Sequence, residues 1–204
     1  MKFTRLIALS LFLLLTSVSH NLTAAPITWD ESTNGDLDGS QDFYFDVGEN
    51  IISGNLSFFN TPTSTPESDS DKFNFTLFTD LYLKSITLEF LEVNTSNIRY
   101  ANKDYLLGDE FANINLGVEE VDILNYIGPI SLYDDTSIFP LGPGYYIFGD
   151  FGGGTGYDGR VDSFYNYDYR LTFDVSPVPE PSTFLLLGGG LIGLAFAVRR
   201  RKTE

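Results

Sequence analysis

The feature that most constrains this chain is a period-two alternation of apolar and polar residues that recurs along it. Lys72–Phe78 reads KFNFTLF, with Phe73, Phe75 and Leu77 on one face and Asn74 and Thr76 on the other. Ile86–Phe90 sets Ile86, Leu88 and Phe90 against Thr87 and Glu89, and Tyr169–Val175 sets Tyr169, Leu171, Phe173 and Val175 against Arg170, Thr172 and Asp174. Successive side chains of a strand point to opposite faces, so each segment is a strand with one buried and one solvated side. Further strands are expected at 42–47, 50–59, 121–127, 130–133 and 144–148, with turn-forming stretches at 61–71, 142–145 and 152–159 between them. Only the stretch around Asp109 to Asn125 is compatible with a helix. The pattern predicts an all-β domain over residues 25–176, an antiparallel β-sandwich of jelly-roll type.

The two ends are of another kind. Residues 1–24 join a basic start (Lys2, Arg5) to an apolar core from Leu6 to Leu15 and then to small residues ending at Ala24. That is the layout of a helical signal peptide, removed by signal peptidase after Ala24. Residues 177–204 carry Val178-Pro179-Glu180-Pro181-Ser182-Thr183, an uncharged run from Phe184 to Val198, and the cations Arg199, Arg200, Arg201 and Lys202. As a helix rising about 1.5 Å per residue, the run 184–198 spans only ~22 Å. A hydrocarbon core is ~30 Å thick, so this is a short transmembrane helix at the lower limit. Gly188, Gly189, Gly190 and Gly193 weaken it further. The four cations form a membrane stop that stays cytoplasmic, which puts the β domain outside.

A motif, a marginal anchor and a basic stop in immediate succession make a sorting signal. The order Pro179-Glu180-Pro181, a Leu/Gly-rich run and Arg199 to Lys202 resembles the PEP-CTERM sorting domain. The resemblance implies that an exosortase, an integral-membrane protease, recognises and cleaves the tail near Pro179–Pro181. It also implies a Gram-negative-type envelope whose host makes extracellular polysaccharide.

Charge and two absences narrow the chemistry. Between Pro26 and Glu180, six Lys and Arg face 27 Asp and Glu, a net charge of −21. Such a body is repelled by phosphate backbones and anionic lipid, so nucleic acid is not an expected partner. The chain has no Cys, and its one His, His20, lies in the leader. A Ser-His-Asp triad, a Cys-His pair and any His- or Cys-ligated metal are thereby excluded from the mature domain. An exported chain without disulfides must hold itself together with its core.

The body carries a second resemblance. IISGNLSFF, SDSDKFNFTL, LGPGYYIF and YDYRLTFDV follow the order of motifs in a bacterial pre-peptidase C-terminal domain. That family consists of small β-sandwiches accessory to secreted enzymes, and some members bind collagen or polysaccharide. Two acidic loops, Asp30–Asp42 and Glu67–Asp71, interleave carboxylates with Asn, Gly and Ser. Hard oxygens on bendable loops suit Ca²⁺, although EF-hand spacing is absent and solvated loops have the same composition. Carried over from the family, the calcium ligands are Glu31, Asn34, Asp36, Asp69 and Asp71.

Tyr145, Tyr146, Tyr157, Phe164, Tyr165, Tyr167 and Tyr169 offer either sandwich core or platforms for sugar rings, and Trp29 is placed to staple the N-terminal arm to a sheet. The adjacent carboxylates Glu119-Glu120 and Asp134-Asp135 are not acid/base couples, because neighbours on a strand face opposite ways. GGGTG at 152–156 lacks the following helix that a phosphate loop needs. The expectation is an exported, non-catalytic protein of the envelope or extracellular polysaccharide matrix. The alternatives are a carbohydrate-binding module and a carboxylate-based glycan-active enzyme.

Overall fold

The computed structural model describes residues 25–109, 114–124, 128–133, 138–157, 159–178 and 188–192. Between residues 25 and 178, the described residues form eleven strands and one short helix in this order: β1 (Thr28–Asp30), α1 (Glu31–Asn34), β2 (Asp38–Tyr44), β3 (Gly48–Asn60), β4 (Glu67–Ser68), β5 (Lys72–Leu77), β6 (Leu81–Ser96), β7 (Ile98–Asp109), β8 (Ile114–Asp122), β9 (Ile130–Leu132), β10 (Gly144–Tyr157) and β11 (Ser163–Pro177). They form two sheets. One runs β1-β3-β11-β6-β9, with β4 paired to β3, and the other runs β2-β5-β10-β7-β8.

The alternation read from the sequence becomes burial. Along β11 every second residue from Ser163 to Val175 is buried and the residues between are not. Phe173 is the centre of the interior, with ring centroids 4.8 Å from Phe45, 5.8 Å from Phe73, 5.6 Å from Phe75 and 5.5 Å from Phe148. All four partners belong to the opposite sheet or to the residue just beyond β2, so one side chain ties the two layers together.

Three expectations need correction. The sandwich is not purely antiparallel, since β1 pairs with β3 and β2 with β5 in parallel. Both are short strands that the N-terminal segment lays along a sheet edge, one in each layer, without a hairpin to reverse them. The stretch around Asp109 to Asn125, the one compatible with a helix, instead contains β8, paired with β7 from Asn102↔Asp122 to Asp109↔Ile114. Val118, Val121 and the mid-segment Gly117 disfavour a helix, and ladder pairing decides the conformation. The turn expected at 152–159 is strand as far as Tyr157, with Gly154 opposite Asn102 and Gly156 opposite Tyr100. A Cβ at Gly156 would run into the Tyr100 ring, so glycine here admits an aromatic neighbour.

The register also fixes where the chain enters and leaves. Thr28 pairs with Ile51 in parallel, and Val175 lies opposite Gly48. The start of β1 and the end of β11 therefore share one end of the same sheet. The expected leader, residues 1–24, and most of the expected membrane run lie outside the described residues; within that run, residues 188–192 are helical. Among the described residues no helix is long and apolar enough to cross a membrane.

Candidate functional site

The N-terminal arm builds one wall of the site. Trp29 packs edge-on against Phe43 at 5.2 Å, and the Ile51 amide donates to the Ile27 carbonyl at 2.9 Å, which staples the arm to the sheet as expected. Asp30 caps α1 by accepting from the Ser32 amide at 2.9 Å. Gly35, at a φ of 102°, then turns the chain, with its amide donating to the Glu31 carbonyl. The turn sends the Glu31 carboxylate inward. Its Oε2 accepts from the Asn55 amide at 2.8 Å and its Oε1 from the Leu37 amide at 3.3 Å. Burial nevertheless raises the Glu31 pKa, and the neighbouring Asp36 adds to the rise.

Asp71 forms the floor. It precedes β5 and is only 4% exposed. The Tyr169 hydroxyl donates to its Oδ2 at 2.6 Å, reaching it past Gly54, where a Cβ would lie 2.5 Å from that hydroxyl oxygen. The other carboxylate oxygen, Oδ1, accepts no hydrogen bond. Burial, with the charges of Glu31, Asp69 and Asp36, pushes the Asp71 pKa up to about 8. A buried carboxylate with an orphaned oxygen is costly to ionise unless a cation is beside it.

Glu31, Asp36 and Asp71 each bring a carboxylate oxygen within 4.8 Å of the others. Oxygens bound to one Ca²⁺ at about 2.3–2.6 Å are separated by up to roughly 5 Å, so the spacing fits that ion. Asp69 lies on the wall of the adjoining cavity, about 390 Å³ in volume, with Glu31 and Asp36. Its pKa is raised by burial and by Asp36. Asn34 points elsewhere: its amide donates back to the Asp30 carbonyl at 3.0 Å, on the exposed side of α1. Of the five expected ligands, three are brought together, Asp69 stands next to them, and Asn34 is not among them. The donor set, all hard oxygens around an orphaned one, suits a calcium ion.

The other candidates separate cleanly. Tyr146, Tyr165, Tyr167 and Tyr169 are buried, whereas Phe164 is exposed and Tyr145 and Tyr157 are half-buried. Glu120 is exposed and accepts from Asn102 Nδ2, while Asp134 and Asp135 lie outside the described residues. One pair escaped sequence reasoning. Lys103 and Asp150 form a buried ion pair between β7 and β10, with side chains 7% and 2% exposed. A lysine at an inward position of an alternating strand was the available signal.

The comparisons bear on the tail. Residues 177–202 match the PEP-CTERM protein-sorting motif. Such motifs are recognised by exosortase, which implies export and a destination in the cell envelope or at the cell surface. The motif begins at the last residue of β11, so the sorting signal follows the β domain without a linker. Pro179, Glu180 and Pro181, and the stop Arg199 to Lys202, fall within the match and outside the described residues. No curated protein matches the chain.

Proposed function

We propose that the chain is an exported, non-catalytic protein of the cell envelope or extracellular polysaccharide matrix. Signal peptidase would remove residues 1–24, and exosortase would release the protein from its membrane intermediate near Pro179–Pro181. The observation that carries this reading is the sorting motif placed directly after the last strand of a two-layered β domain. From β3 onward the strands of the two long ladders visit the sheets in the interleaved sequence of a jelly roll, which supports that finer assignment. The test is intact mass with cell fractionation in an exosortase-containing host and its exosortase-deletion strain. Loss of the residues after Pro181 in the first strain, and their retention in the second, is expected. A full-length, membrane-bound product in both strains makes the tail a plain anchor and overturns the reading.

Within that role the carboxylate cluster holds Ca²⁺ as a structural ion. Glu31 comes from the N-terminal arm and Asp71 from the start of β5 in the other sheet, so an ion between them joins the arm to both layers. It would also offset part of the −21 charge of the body. Glycoside hydrolysis needs acid and base about 5–10 Å apart across a sugar. The nearest carboxylate oxygens of Glu31, Asp36 and Asp71 lie within 4.8 Å of one another, a spacing that supports an ion site.

A further inference from the structure

A second cavity, about 520 Å³, lies on the other side of the Asp69–Asp71 segment. This volume is ordinary for a small-ligand pocket. Its floor is the buried Lys103–Asp150 pair. Lys103 Nζ also donates to the Asp69 carbonyl at 3.4 Å, and the Asp150 amide donates to the Asp71 carbonyl at 2.8 Å, so the backbone of that segment fixes the floor. One wall is aromatic. Phe58 and Tyr165 stack at 5.4 Å with their planes 19° apart, and Tyr157 leans on Phe58 at 5.2 Å.

The rest of the lining is hydroxyl-rich, and part of its hydrogen-bonding capacity is unspent. Ser68, Ser70 and Thr155 face the cavity, and their hydroxyls make no hydrogen bond within the described protein. Lys103 uses two of three ammonium protons internally. Lys72, at the rim, makes no ion pair among the described residues. Asn102 completes the polar side. Donors, acceptors and aromatic rings thus line one recess together.

We propose that this cleft binds a neutral saccharide unit of an extracellular polysaccharide. A pyranose has an apolar C–H face to lay on the half-buried Tyr157, which the buried Phe58 backs, and hydroxyls that both donate and accept to meet Lys103, Asp150, Ser70 and Thr155. A lipid chain would leave the hydroxyls and the ion pair unmet. A polyuronate or nucleotide would bring repeated negative charge to a body that already carries −21, against which the cleft sets one uncompensated cation, Lys72. The inference rests neither on tail processing nor on the cation cluster.

The test is affinity electrophoresis of the mature protein through gels containing either a neutral β-glucan, a neutral galactomannan or alginate, all with excess Ca²⁺. Retardation by a neutral polysaccharide is expected, weakened about tenfold or more in Tyr157→Ala because the ring face is removed. Thr155→Val, which keeps the shape and removes one hydroxyl, should weaken it severalfold while the melting temperature stays near that of wild type. Retardation by alginate alone overturns the neutral class. No retardation by either neutral polysaccharide, or retardation unchanged in both variants, overturns the cleft.

Discussion

Asp71→Asn should remove most of the pH dependence of the cation-free protein. The Asp71 carboxyl titrates near 8 when folded, against an ordinary value of 3.8, because it is buried beside Glu31, Asp69 and Asp36. A carboxyl whose folded pKa is raised binds its proton more tightly in the folded state. Its contribution is therefore fully present below about pH 4, and it is lost progressively as pH rises towards 8. At about 1.4 kcal/mol per pH unit, that window corresponds to a fall on the order of 5 kcal/mol. For a domain of this size, roughly 2–4 °C per kcal/mol makes the melting temperature in EDTA drop by about 10–20 °C between pH 4 and pH 8. Glu31 and Asp69, also raised by burial, act in the same direction. Ca²⁺ at roughly a hundredfold over its Kd returns about 2.7 kcal/mol, and the gain is largest at the alkaline end, where the ligands are ionised. Asp71→Asn keeps an acceptor for the Tyr169 hydroxyl and removes the charge. Its melts should vary much less with pH in EDTA and gain little from Ca²⁺. Melts of wild type in EDTA that stay flat from about pH 5 to pH 8 would refute the reasoning. So would a Ca²⁺ response of equal size in the variant.

Three further outcomes follow from packing. Phe173→Ala removes the ring that meets four aromatic partners and should cost about 3–5 kcal/mol in urea unfolding. A loss under about 1 kcal/mol would mean that the layers do not depend on it. Lys103→Met strands a buried carboxylate and should cost roughly 3–5 kcal/mol, whereas Lys103→Met with Asp150→Leu should recover most of that in a double-mutant cycle. Gly54→Ala places a methyl against the Tyr169 hydroxyl and ring and should lower the melting temperature.

Much of the sheet framework was legible because its signal is local. Phe73, Phe75, Leu171 and Phe173 sit in strands whose polar partners face water, and the alternation alone assigns their sides. What stayed illegible depended on distant partners. In β7, Ala101, Tyr105 and Leu107 alternate inward, but Lys103 breaks the hydrophobic pattern and is tolerated only because Asp150 meets it from β10. The parallel edges depend on register between segments that are far apart in the chain. In the carboxylate cluster, composition pointed to both acidic loops, and folding brought together Glu31, Asp36 and Asp71. Asn34 was lost to a hydrogen bond with the Asp30 carbonyl, a choice made by α1 capping and invisible in spacing.

The shared exit of the two chain ends sets an orientation. The first strand begins opposite Ile51, and Val175 near the end of the last lies opposite Gly48, both near the start of β3. Phe58 and Tyr165, paired across the ladder, lie ten residues further along β3. At about 3.3 Å per residue that is a stand-off of roughly 33 Å. On the proposed route through a membrane intermediate, the aromatic recess would lie towards the end of the domain away from the tail's exit.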